Sequence, residues 1–113
     1  MALPNVRRRR EGKLEEYKQL AAQCVEIVRT KDTGTLEYDL FLNADGNECF
    51  VHERYRDSAA GLEHMANIEP MMKPLSDICT ITGEICGLPS PELRNALEAA
   101  GVKIYAPFQS LSR

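Results

Sequence analysis

The sequence predicts an α+β fold in which helices cover one face of an antiparallel sheet. Three observations carry this reading. Between Thr35 and Tyr55, apolar and polar side chains alternate on both sides of an Asp-Gly turn, the pattern of a β-hairpin. Between Lys13 and Thr30, Leu14, Tyr17, Ala21, Cys24, Val25 and Val28 recur at three- and four-residue steps, the stripe of an amphipathic helix. After the hairpin, helical and extended patterns follow one another to the end of the chain.

The first ten residues, MALPNVRRRR, are poor in β-formers and predict a weak first strand, with the basic run Arg7–Arg10 as a solvated arm or edge strand. Four charges without interleaved aromatics make a weak electrostatic site, so no nucleic-acid partner is expected. The helix over Lys13–Thr30 comes next, and Gly34 closes the turn that leaves it. On the strand Thr35–Asn43, Leu36, Tyr38, Leu40 and Leu42 share one face, while Thr35, Glu37, Asp39 and Phe41 share the other. Ala44–Asn47 is the turn, because Gly accepts positive φ and Asp tolerates it. On the second strand, Glu48–Tyr55, Phe50, His52 and Arg54 oppose Cys49, Val51, Glu53 and Tyr55. His52 and Glu53 therefore cannot line one pocket. A lone hairpin is marginal in water, so this one needs further cover.

Asp57 is the expected N-cap of a second helix that carries His64 about two turns in. Pro70 and Pro74 are expected to break that helix into a kinked pair or a short extra turn. Met65, Met71 and Met72 suit a core gap or an adaptable pocket wall. Ile78–Cys86 reads as another strand of the same sheet. Ser90-Pro91-Glu92 is a helix start, with Ser as the cap, Pro in the first position and an acid in the first turn. Leu93, Leu97 and Ala100 give that helix a narrow apolar face, and Gly101 ends it. Val102–Phe108 is a last strand, placed at an edge by Pro107, and Gln109–Arg113 is a tail.

The order is the ferredoxin-like β-α-β-β-α-β plan with a helix and a strand appended over residues 87–113, all in one domain spanning 1–113. The predicted sheet is apolar on both faces, with Tyr38 and Leu40 on one and Phe41 and Phe50 on the other. Such a sheet needs a second cover, and the simplest is another copy of itself, so a homodimer is expected.

Composition excludes several classes. The apolar share of 43% is that of a globular chain, and the net charge of −3 is too mild to imply a polyanion or a membrane surface as partner. No apolar run reaches the roughly 18 residues of a membrane span. The basic N-terminus lacks the apolar segment of a signal peptide. Cys24, Cys49, Cys79 and Cys86 form no C-x-x-C, and the two His residues are not spaced with them as zinc ligands. Buried thiols in a reducing cytoplasm, with no metal site, are the reading.

Three runs carry a resemblance: G-T-L-x-Y-D-L-F (Gly34–Phe41), F-V-x-E-R-Y-x-D (Phe50–Asp57) and A-A-x-L-x-x-H (Ala59, Ala60, Leu62, His64). Over residues 11–86 the chain resembles the antibiotic biosynthesis monooxygenase domain family. Gly12-Lys13 with Glu15, Glu16 and Tyr17 is similar to that family's entry into its first helix. The resemblance implies a dimeric α/β barrel with a pocket between sheet and helices. It also implies O₂-dependent oxidation of a quinol or aromatic polyphenol with no cofactor. Such substrates supply the electrons, and the protein has to deprotonate a hydroxyl, bind the anion and exclude water.

By that resemblance His64 is the candidate base and Glu53 its catalytic partner, its pKa raised by partial burial. Tyr38, Tyr55, Asn67 and Asn5 are the candidate substrate contacts, Asn5 being the polar candidate of the first strand. Each of the leading residues also has a structural reading: a cap or dimer-contact histidine at His64, a structural hydrogen bond at Glu53, core packing at Tyr38. The absence of Trp argues against the haem-degrading branch of the family. The alternative to an enzyme is a non-catalytic dimeric module that binds a small hydrophobic ligand or serves in assembly.

Overall fold

A computed structural model of the chain describes residues 1–111. Its elements are β1 (Asn5–Arg9), α1 (Leu14–Lys31), β2 (Thr35–Leu42), β3 (Glu48–Tyr55), α2 (Ser58–Ile78), β4 (Cys79–Cys86), α3 (Pro91–Ala99) and β5 (Lys103–Tyr105). The five strands form one sheet in the order β2-β3-β1-β4-β5. The first four are antiparallel neighbours in the ferredoxin-like arrangement, and β5 adds to β4 in parallel.

The local signals act where they occur. Asp57 caps α2 by accepting from the Ala60 amide at 2.9 Å, and Ser90 caps α3 by accepting from the Leu93 amide at 3.2 Å. Glu15 and Glu16 in the first turn of α1, and Arg29 and Lys31 in its last, oppose the helix dipole with the right sign.

Four expectations are corrected. β1 is neither an arm nor an edge strand: it is paired on both sides, to β3 and to β4. Its alternation explains this, since Asn5 and Arg7 turn inward and are buried while Val6 and Arg8 face outward. The prolines do not break α2, which runs unbroken through Pro70 and Pro74. Proline removes the bond to the carbonyl four residues back, and here those carbonyls belong to the exposed residues Ala66 and Pro70, where water can serve them. Ile78 ends α2 instead of opening β4. β5 is shorter than expected and stops before Pro107, although it does lie at the sheet edge. Of the tail Gln109–Arg113, the last two residues lie outside the described ones.

The inner face of the sheet carries two apolar clusters. Tyr17, Cys24, Val51, Ile68, Met71, Leu75 and their neighbours form the larger one, under α1 and α2. Ile85, Leu93 and Leu97 form the smaller one, where α3 packs against β4. Cys24, Cys49 and Cys79 are buried free thiols, whereas Cys86 is exposed, against expectation, because it falls on the outward side of β4.

Candidate functional site

A cleft of about 900 Å³ opens on the helical side of the sheet. β5 covers only Glu84–Cys86 of β4, so the rest of that strand's edge is left as one lip. Apolar walls come from α2, α3 and β4, including Met65, Ile68, Ile85, Leu93 and Leu97. Its polar end is built by Asn5, Arg7, Glu53, Tyr55 and His64.

Strand alternation delivers these side chains. Asn5 on β1 sits opposite Val51 on one side and Gly83 on the other. A Cβ at Gly83 would stand 3.0 Å from that of Asn5, so the glycine makes room for the asparagine. Glu53 on β3 is held by three donors: Asn5 Nδ2 at 2.6 Å, the Tyr55 hydroxyl, and His64 Nε2 at 3.2 Å. His64 Nδ1 lies 2.7 Å from Asp32 Oδ2. Asp32 in turn accepts from Asn67 Nδ2 at 2.8 Å and from Thr35 Oγ1 at 2.7 Å. Gly34 lets this turn approach α2, because a Cβ there would meet that of Ala60 at 2.5 Å.

The charges follow from these contacts. Burial pulls the His64 pKa down, but hydrogen bonds and charge from Glu53 and Asp32 outweigh it and leave the imidazole above its ordinary value. Burial pushes Glu53 up, yet His64, Tyr55 and Asn5 outweigh it and hold the carboxyl below its usual range. The raised Glu53 expected from burial alone is thereby corrected: three donors beat desolvation. Asp32 is likewise pushed up by burial and brought below its usual range by Asn67, His64 and Thr35. With a carboxylate oxygen at each ring nitrogen, the geometry is that of an imidazolium clamped between two carboxylates.

The structure thus gathers His64, Glu53, Tyr55 and Asn5 at one end of the cleft. Tyr38 and Asn67 stand behind it: Tyr38 accepts from Arg7 Nη2 at 3.1 Å, with its ring 5.7 Å from that of His64, and Asn67 holds Asp32. Sequence reasoning missed Asp32 and Arg7. Asp32 lies 32 residues from His64 and follows a helix end, where an acid reads as ordinary turn chemistry. Arg7 was masked by its three basic neighbours; the signal available was its place two residues after Asn5, on the same strand face.

His52 is on the outer face, where its ring, Glu37 and Asp39 bring ligand-type atoms within 4.8 Å of one another. Glu37 is already engaged there by Arg54 and His52, each at 2.9 Å.

The family model for antibiotic biosynthesis monooxygenase matches residues 5–70, from β1 well into α2. The chain belongs to that family. The matched stretch carries the whole polar end of the cleft, whereas the family model does not reach α3 and β5. Among solved structures, MupZ of Pseudomonas fluorescens superposes with a TM-score of 0.86 at 24% identity, covering 99% of this chain and 93% of its own. Rv0793 of Mycobacterium tuberculosis superposes at 0.62 with 21% identity, covering 80% of this chain and 99% of its own. A protein of Nitrosomonas europaea, provisionally named an antibiotic biosynthesis monooxygenase, superposes at 0.62 with 18% identity over 74% of this chain and 93% of its own. At these identities the likeness is one of fold. MupZ shares the appended helix and strand, since its match spans almost the full chain. No curated protein matches the sequence. Among the described residues, no helix is long and apolar enough to cross a membrane.

Proposed function

We propose that this family member is a cofactor-independent monooxygenase that binds a quinol or polyphenol-type aromatic in the cleft between sheet and helices. One observation carries the reading: a buried Asp32–His64–Glu53 chain ends on the cleft wall beside Tyr55 and Asn5. The substrate hydroxyl hands its proton to Glu53 and not to His64, the base expected from the sequence, because both ring nitrogens of His64 already face carboxylate oxygens. His64, kept charged by Asp32, then faces the oxyanion, and Tyr55, freed from a neutralised Glu53, donates to it. Asn5 fixes Glu53, while Tyr38 and Asn67 position the groups behind.

The electrons come from the ring. A phenolate with a C–H ortho or para to its oxygen, as in a catechol or in reduced menadione, gives four electrons to O₂: one oxygen atom ends on that ring carbon, the other leaves as water, and the ring becomes a quinone. The apolar walls keep bulk water from the anion. The protein works in a reducing cytoplasm as a homodimer joined through the outer sheet face.

The test is oxygen uptake with reduced menadione and catechol-type substrates. Uptake matched by quinone formation is expected, with Glu53→Gln and His64→Ala each lowering kcat/KM by about 10²-fold or more. A second reading, the ligand-binding module, is favoured by the mutual satisfaction of the three charges, which leaves none idle for chemistry. Saturable quinol binding without oxygen uptake would decide for it.

A further inference from the structure

We propose that Arg7, with Asn5 beside it, is a binding subsite for the oxyanion of a ligand whose apolar ring body fills the rest of the cleft. The inference concerns how an anion is bound and not how it is oxidised. It therefore stands apart from the oxygen chemistry above, although the two share one cleft.

Arg7 is 5% exposed and lines the cleft from the centre of the sheet. Nη2 donates to the Tyr38 hydroxyl, but among the described residues neither Nε nor Nη1 has a partner. Asn5 Oδ1 is also buried without one. Buried polar groups are almost always paired, and a buried guanidinium more so than any neutral group. The nearby carboxylates do not serve it. Asp32 spends its oxygens on His64, Asn67 and Thr35, and Glu53 spends its own on His64, Tyr55 and Asn5.

What pairs with Arg7 can be specified. Its interacting neighbours are the uncharged Tyr38, Tyr17 and Cys24, and the Tyr17 hydroxyl is likewise buried without a partner, so one guanidinium here matches one negative charge: a carboxylate or a phenolate fits and a phosphate dianion does not. Asn5 Oδ1 is an acceptor and suits a hydroxyl next to the oxyanion. The remaining walls, among them Ile68, Ile81, Ile85, Leu93, Leu97 and Val102, ask for an apolar body. At about 900 Å³ the space is that of a ligand of several rings, not one. Nε and Nη1 are closed off from solvent, so the guanidinium turns about its terminal side-chain bonds to meet the ligand.

The charge count agrees. Asp32, Glu53, protonated His64 and Arg7 sum to zero at rest. When a bound hydroxyl gives its proton to Glu53, the oxyanion takes over the negative charge that Glu53 loses, and Arg7 meets it as a second cation beside His64.

Titration calorimetry on the full chain tests this with two probe pairs: hydroxynaphthoate against hydroxynaphthamide, and para-nitrophenolate against nitrobenzene. The wild type is expected to prefer an anion over its neutral counterpart by about tenfold or more. A preference in the first pair assigns a carboxylate, and one in the second a phenolate. Arg7→Met and Arg7→Gln are expected to remove the preference while binding the neutral probe within about twofold of wild type. Arg7→Met is also expected to unfold at the same temperature as wild type or higher, since exchanging an unpaired buried charge for an apolar side chain is often neutral or stabilising. No preference for either anion in the wild type overturns the proposal whether or not the variants fold. So does a preference that survives in both variants, or a loss of Arg7→Met stability with anion and neutral probe weakened alike.

Discussion

His64 is 6% exposed and meets a carboxylate at each ring nitrogen, so its charge state is set by neighbours and not by solvent. The linkage to stability has two limbs. The His64 pKa is raised on folding, so its contribution is complete below the unfolded value of about 6.5 and is lost as pH rises through the folded one. Asp32 and Glu53 are lowered, so theirs is complete above roughly pH 4 and is lost as pH falls through their folded values. The network stabilises most in mildly acidic solution. Asp32→Asn removes one carboxylate from a buried, hydrogen-bonded set, and its cost is expected to be about 3 kcal/mol. It should also bring the His64 titration down, which NMR of the ring protons reads directly. An unchanged titration would mean that Asp32 does not hold the imidazole. This residue was not legible beforehand because its partner lies in another element. Glu53, His64 and Tyr55 were, because strand alternation and motif matching both act over short range.

Elements were legible in proportion to how local their causes are. The hairpin, both capped helix starts and the α1 stripe follow from neighbours a few residues apart, and each formed where the pattern placed it, except that in α1 Val25 is exposed while Leu20 and Ile27 pack on the core. The place of β1 depends on pairing with residues 40 to 46 positions away in β3 and 70 to 78 away in β4, and nothing in the composition of MALPNVRRRR announces that. A strand with three arginines stays central because alternate side chains leave the sheet in opposite directions, sending Arg7 inward and Arg8 to solvent. In α2 the local rule was overridden. Packing of His64, Ile68, Met71, Leu75 and Ile78 holds the helix across both prolines, at the expense of the backbone bonds that prolines cannot make. Pro70→Ala restores one of them at an exposed position. Helix propensity alone favours the change by about 3 kcal/mol, against which the freer unfolded chain returns up to about 1 kcal/mol. With an already adapted native state, a gain of about 1–2 kcal/mol is expected in chemical denaturation, together with slower amide exchange around Ala66. A loss of stability would show that Pro70 is needed to set the course of the helix.

At the scale of the molecule, the sheet divides two kinds of surface. The inner one is covered by three helices and holds the cleft, while among the described residues of the single chain nothing covers the outer one. Register aligns Val6, Phe50 and Phe41 in a row across β1, β3 and β2 on that outer face. Phe41 is 58% and Phe50 43% exposed, too much aromatic surface in one row to be left in water without consequence. Charged groups flank the row on the same strands, including Glu37, Arg54 and Arg8. An apolar strip rimmed by mixed charge is what a self-complementary two-fold contact uses, because each subunit then meets the same strip and opposite charges at its margin. Light scattering at micromolar concentration is expected to give the mass of a dimer. Phe50→Glu sets like charges facing across the contact and removes an aromatic anchor from its centre. A loss of about 3 kcal/mol or more, over 100-fold in dissociation constant, is expected. The variant should keep its fold and its cleft, since Phe50 faces away from both apolar clusters. A wild-type monomer, or a Phe50→Glu dimer as tight as the parent, would move the contact elsewhere and leave the row of Val6, Phe50 and Phe41 without an explanation.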